Sequence, residues 1–214
     1  MTHLLHLDSS ADPIRSRSRA IGRSFVDAWL AADATNTVTY RDLHAQPLPH
    51  IPDAALHWPP RLRPAGATPP PAAEALQTEL IAELTAADVL LVGAPMYNYS
   101  IPSALKAWVD YIHVPAVTAP FDVATQPMAG RPAVVVTSRG ASYDAGTPTA
   151  DWDHGVPVLQ LILGTALGMD VSVITTSLTL ADSVAPLADQ LPRAEAELAA
   201  AHALAAAEGE RLGA

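Results

Sequence analysis

Apolar residues along the chain switch repeatedly between two periods. Short strand-like runs occupy HLLHLD (3–8), VLLVGA (89–94), PAVVVTS (132–138) and DVSVITTS (170–177), while NTVTYRDL (36–43) alternates. The run 89–94 is apolar throughout, as expected of a central parallel strand covered on both sides. Between these runs the period lengthens to three and four residues, the spacing of a helix face. Ile21, Phe25, Ala28, Trp29 and Ala32 form one stripe within 16–33; Leu76, Leu80, Ile81 and Leu84 form another within 71–88. Ile101, Leu105, Trp108 and Ile112 line a third helix, 101–112, with Pro102 in a first turn that tolerates it. Residues 156–168 read as a helix with few charges, and the Ala/Glu-rich end, 185–208, as a final solvated helix. The alternation predicts an α/β fold in one domain, residues 1–214: a doubly wound five-stranded parallel sheet with helices on both faces.

Two connections are long. Residues 44–70 are rich in proline, and residues 113–131 carry no clear period. A loop of that length in a compact domain serves as a lid, a binding loop or an oligomer contact, with disorder the plain alternative for 58–70.

Composition narrows the function. Half of the residues are hydrophobic and 16% are charged, which fits an ordered globular domain, and no run approaches the ~20 apolar residues of a membrane span. The N-terminal MTHLLHLDSS has neither the basic flank nor the apolar length of a signal peptide and reads as a first strand. There are no cysteines, so disulfides, thiolate metal sites and cysteine nucleophiles are excluded, and a cytoplasmic location fits. A net charge of −10 disfavours nucleic acid and anionic membranes as partners, so an anionic ligand must be held locally. The eight histidines form no metal-binding motif, and no G-x-S-x-G elbow is present; no metal is assigned.

In a doubly wound sheet, ligands bind beyond the carboxyl ends of the strands. Three turns occupy that edge. The first, DSSADPIRSRSRA (8–20), lacks the glycines of a dinucleotide fingerprint or a P-loop. It offers Ser9, Ser10, Ser16 and Ser18 before a helix N-terminus, a site for one phosphate to which Arg17 adds a charge-assisted donor. Taken alone, this turn is better explained by plain N-capping by Ser16, with the arginines in solvent. The second, PMYNYS (95–100), pairs apolar surface with backbone donors and acceptors and with the amide of Asn98, as a planar heterocycle requires. In the third, TSRGAS (137–142), Gly140 permits close backbone approach while Ser138 and Arg139 offer donors. One phosphate-sized and two ring-sized sites on one edge point to a mononucleotide with a flat base, such as FMN.

With APMYNYSIPSALKAWVDYI, VVVTSRGAS and LDSS…SRS in view, the chain resembles the FMN-dependent NADH:quinone oxidoreductases known as azoreductases, which have a flavodoxin-like fold. The resemblance covers nearly the whole chain. It implies that Ser10, Ser16, Arg17 and Ser18 bind the phosphate. Pro95, Met96, Tyr97, Asn98 and Tyr99 would lie under the isoalloxazine ring, and Ser138, Arg139, Gly140 and Ala141 at its pyrimidine edge. It also implies a homodimer whose sites are completed by the partner, with 44–70 and 113–131 as contact and lid segments. Phe121 and Trp152 are then substrate-side candidates. The implied reaction is ping-pong: hydride from NADH or NADPH to FMN, then reduction of a quinone or azo-type acceptor. Backbone donors of the Tyr97–Asn98 and Arg139–Gly140 turns would stabilise charge on the ring. Hydride transfer needs no side-chain acid or base; Tyr143 and His154 are candidate donors of the product's proton.

Tyr99 in place of the family's phenylalanine, and Ala141 in place of a second glycine, depart from the pattern; Ala141 requires a negative φ. Three alternatives remain: a biosynthetic tailoring enzyme with a dedicated substrate, a flavodoxin-type electron carrier, and a binding module without cofactor.

Overall fold

The computed structural model describes residues 1–214. Five strands, β1 (His3–Asp8), β2 (Thr37–Asp42), β3 (Val89–Gly93), β4 (Pro132–Ser138) and β5 (Asp170–Thr176), pair in parallel in the order β2-β1-β3-β4-β5. The chain winds one way from β1 to β2 and the other way from β3 onward. A crevice therefore opens between the carboxyl ends of β1 and β3.

Strand parity sends side chains to two cores. Leu5, Leu7, Leu90, Val92 and Val135 pack with Leu80 and Leu84 of α2 (Pro71–Ala86) and with Leu105, Trp108 and Ile112 of α3 (Ser103–Ile112). Leu4, Leu91, Val134, Val136 and Ile174 face Ile21, Phe25 and Trp29 of α1 (Arg17–Ala32). The periodic stripes of the sequence are therefore the buried faces of these helices. Trp108 is fully enclosed within its own chain, so it offers no surface to a second subunit.

Three helices differ from the sequence reading. Pro102 stands at the cap before α3 rather than inside its first turn. The helix expected over 156–168 begins as α4 (Gly155–Leu159) and widens into a π-helical stretch, Gln160–Ala166, before a left-handed glycine, Gly168 (φ 75°). The last helix is preceded by a 3-10 turn, Ala185–Gln190, and runs as α5 (Leu191–Gly213). It is not simply solvated. Ala201, Ala205, Gly209 and Gly213, every fourth residue, are buried, and Ala201 and Ala205 join the core beside α1. A methyl group on Gly209 would meet the Phe25 carbonyl, and one on Gly213 the Trp29 carbonyl.

The long connections pack onto the domain and onto each other. Residues 44–70 contain two 3-10 turns, Ala54–His57 and Pro60–Leu62. Arg61 forms two bonds to Asp122 (2.6 and 2.7 Å), and Trp58 meets Phe121 edge to face at 5.2 Å. Gln77 of α2 donates to the Leu56 carbonyl at 2.9 Å, pinning the first connection to the helix layer. No helix is long and apolar enough to cross a membrane.

Candidate active site

The turns after β1, β3 and β4 meet at the sheet edge. The Met96 amide donates to the Ser138 carbonyl at 2.9 Å, joining the second turn to the third. The Tyr97 hydroxyl reaches the first turn, where the Ala11 amide donates to it at 2.9 Å and Ser10 Oγ lies 3.2 Å away. A cleft of about 810 Å³ opens between them, within the roughly 300–1,000 Å³ of small-molecule sites. Two smaller clefts, about 330 and 250 Å³, lie along β5 and α5; the second shares Arg17, Thr179, Asp182 and Leu198 with the main cleft.

At one end of the cleft α1 begins. Ser16 caps it, its Oγ accepting from the Arg19 amide at 3.3 Å, and the amides of Arg17 and Ser18 have no acceptor in the chain. Ser10, Ser16 and Arg17 line this end. Ser18 does not: its side chain is fully buried and its hydroxyl lies 3.1 Å from Ser16 Oγ. Its amide, not its hydroxyl, is what it presents. Arg17 stands 3.5 Å from Asp182, and Arg15 3.3 Å from Asp12, so each arginine at the mouth faces a carboxylate. Asp12 is held below the usual carboxylate range, chiefly by the Arg15 and Ile14 amides.

At the other end Pro95, Met96 and Tyr97 form the floor and Ser138 and Gly140 one wall. Tyr97 and Ser100 exchange both backbone bonds (2.9 and 3.1 Å), and between them Asn98 (φ 47°) and Tyr99 (φ 69°) are both left-handed. This is the conformation of a two-residue type I′ turn. Asparagine suits its first position, but its second normally takes glycine, so Tyr99 is strained by about 1–3 kcal/mol. Two contacts restrain it from the segment before α4: the His154 amide donates to the Tyr99 carbonyl at 2.8 Å, and Trp152 meets the Tyr99 ring edge-on at 5.3 Å.

The amides proposed as ring donors divide. Those of Tyr97 and Arg139 are already spent on Ser100 and Thr176, whereas those of Asn98 and Gly140 have no acceptor in the chain. The Arg139 side chain is turned away from the cleft. It bonds Asp153 (3.2 Å) and Ser177 (2.9 Å) and lies over the Tyr143 ring at 5.6 Å. Asp153 also accepts from the Gly155 and Val156 amides (2.9 and 3.1 Å), so it fastens the start of α4 as well as Arg139. Ala141 keeps a negative φ, as its side chain requires, and the space beside Gly140 is limited by Leu180. Burial, followed by the nearby Tyr99 hydroxyl, pushes the Tyr143 phenol up, so it stays protonated. The His154 side chain is exposed. Phe121 lies on Trp58 and does not line the cleft. No three histidine, aspartate or glutamate side chains gather to hold a metal.

The structure adds a fourth turn. Thr179, Leu180, Asp182 and Ser183, following β5, close the cleft beside Arg17, with Leu198 and His202 of α5 behind them. Nothing in TSLTLADS (176–183) resembles a motif; only its place after a strand marks it.

Hydroxyls, an arginine and free helix amides at one end, and an apolar floor with the unpaired Gly140 amide at the other, fit FMN: a phosphate, then a flat ring with a polar rim. Asn98, whose amide is also unpaired, does not line the cleft. A sequence model described as flavodoxin-like fold matches residues 2–203. An "FMN-dependent NADH:quinone oxidoreductase" of Kineococcus radiotolerans is 58% identical over 205 residues, 96% of this chain and 97% of that protein. One of the same name from Streptomyces avermitilis is 42% identical over 214 residues, covering 99% and 97%. Among solved structures, an azoreductase from Bacillus anthracis superposes with a TM-score of 0.82 at 18% identity, covering 99% of this chain and 100% of that one. An FMN-dependent NADH-azoreductase from that species, in complex with FMN, gives 0.79 at 17% identity over 99% and 100%. Both structures speak to the fold. The chain belongs to the FMN-dependent NADH:quinone oxidoreductase family, within the flavodoxin-like fold.

Proposed function

We propose that the protein is an FMN-dependent oxidoreductase that takes hydride from NADH and reduces quinone or azo-type acceptors in a ping-pong cycle. The observation that carries this reading is the convergence of the turns after β1, β3 and β4 on one cleft, one end of which suits a phosphate and the other a flat ring. When bound, FMN supplies the two-electron centre that accepts hydride from the donor and passes it to the acceptor. The chain's part is to bind, orient and shield.

Ser10, Ser16, Arg17 and the first amides of α1 hold the phosphate. Pro95, Met96 and Tyr97 carry the ring, and the Gly140 amide meets its polar edge. Ser138 lines the same wall as Gly140. Trp152 and Tyr99, paired edge to face outside the cleft's lining, are the substrate-side candidates. Tyr143, protonated and tucked under Arg139, is the better placed of the two proton-donor candidates, because the His154 imidazole faces solvent.

The family relationship and exposed apolar side chains, among them Phe121, Val123 and Leu161, support a homodimer in which Phe121 of one protomer covers the partner's ring. The absence of cysteine supports a cytoplasmic setting. Initial velocities measured while NADH and a benzoquinone are varied together test the cycle. Parallel double-reciprocal lines are expected; intersecting lines would contradict it.

A further inference from the structure

Arg19 lies in the first turn of α1 with its side chain 5% exposed, outside the cleft. Its backbone amide donates to Ser16 Oγ at 3.3 Å, and its Nη2 donates to the Ser10 carbonyl at 2.7 Å. One residue thus ties both ends of the turn whose hydroxyls and amides form the phosphate end of the cleft.

The guanidinium is held in turn. It makes a bidentate pair with Asp42 at the end of β2 (2.7 and 2.8 Å), and its Nη1 lies 3.2 Å from the Tyr40 hydroxyl and 3.5 Å from Asp8. The Tyr40 hydroxyl donates to Asp8 at 3.1 Å. The ends of β1 and β2 and the turn are therefore fastened to one planar fork. Two carboxylates surround this single cation, so the cluster has no positive charge to offer a phosphate. What it offers is geometry. A lysine keeps the charge but cannot grip Asp42 and the Ser10 carbonyl together.

We propose that Arg19 is a positioning residue for the phosphate of the flavin: it fixes the Ser10 carbonyl and so aims Ser10, Ser16 and the first amides of α1 without touching the phosphate. This inference rests on the flavin reading above. Riboflavin, which has the same ring and no phosphate, separates aiming of the phosphate site from general damage. FMN and riboflavin are titrated into wild type, Arg19→Lys and Tyr40→Phe, with thermal unfolding of each protein recorded.

Losing one charge-assisted bond sets the scale. Arg19→Lys should weaken FMN about tenfold while riboflavin affinity holds, and Tyr40→Phe should cause a smaller loss in the same direction. Equal weakening of both flavins, or unchanged FMN affinity, overturns the inference. If Arg19→Lys does not fold, Asp42→Asn takes its place with the same outcomes. Wild-type protein that binds neither flavin overturns the functional reading and this inference together; wild-type binding with an unaltered preference in the variants overturns only the inference.

Discussion

The Tyr97 hydroxyl accepts a hydrogen bond from the Ala11 amide at 2.9 Å, linking the turn after β3 to the turn after β1 across the mouth of the crevice. A side chain of the cleft floor thereby sets the distance between the two ends of the cleft. The chain's tyrosine-rich loop therefore braces the cleft as well as providing apolar surface.

Replacing Tyr97 by phenylalanine keeps the floor and removes the brace. Ala11 is exposed, so its amide turns to water at little cost to stability. The expected result is FMN binding weaker by about three- to tenfold, a loss of about 1 kcal/mol, with the melting temperature nearly unchanged. Fluorescence titration with FMN checks it.

Asp182 lies 3.5 Å from Arg17, and on the proposed reading it competes with the phosphate for that arginine. Both side chains are substantially exposed, so the pair itself adds little stability. Asp182→Asn removes a negative charge from the mouth and should tighten FMN binding by a few fold at low salt. The gain should shrink at high salt, where such charges are screened. Titrations at two ionic strengths read both effects.

Much of this was legible in the sequence. The strands announced themselves as apolar runs, and α1 to α3 as stripes, because burial on two sheet faces leaves no other pattern. The convergence of three turns followed from a topological rule combined with serines, a Pro-Met-Tyr loop and Gly140. Other features left weaker signals. Tyr99 is left-handed because tertiary contacts from Trp152 and His154 restrain it; the local sequence lacks the glycine that would advertise such a turn. Arg19 looks like any helical arginine until Asp42, far along the chain, is placed beside it. The small residues 201, 205, 209 and 213 were readable as a docking stripe, but the alanines and glutamates around them mimic a solvated helix.

That stripe makes its own prediction. Gly209→Ala puts a methyl group against the Phe25 carbonyl and forces α5 off α1. Overpacking of this kind costs about 1–3 kcal/mol. Chemical denaturation should show a lower midpoint, with any α5 movement felt at Leu198 and His202 beside the cleft.

The buried polar cluster gives stability a defined acid dependence. Burial pushes the His6 pKa below 6.5, against the opposing pull of Asp8. The unfolded chain therefore takes up a proton that the folded chain refuses, and stability falls as pH drops below 6.5. The hydrogen bonds from Arg19 hold Asp42 at about 2 against an ordinary 3.8. Its contribution is present above 3.8 and is lost as pH falls toward 2. Melting temperature against pH should decline in two stages, and His6→Gln should remove the upper one. A profile flat down to about pH 4 would contradict the first assignment.

The most direct measurement is an anaerobic titration of FMN-reconstituted protein with NADH, followed by absorbance. The account predicts a protein-bound flavin spectrum that bleaches with one NADH per bound FMN and returns when a quinone is added. Protein that takes up no FMN, or holds flavin that NADH leaves unbleached, would contradict it.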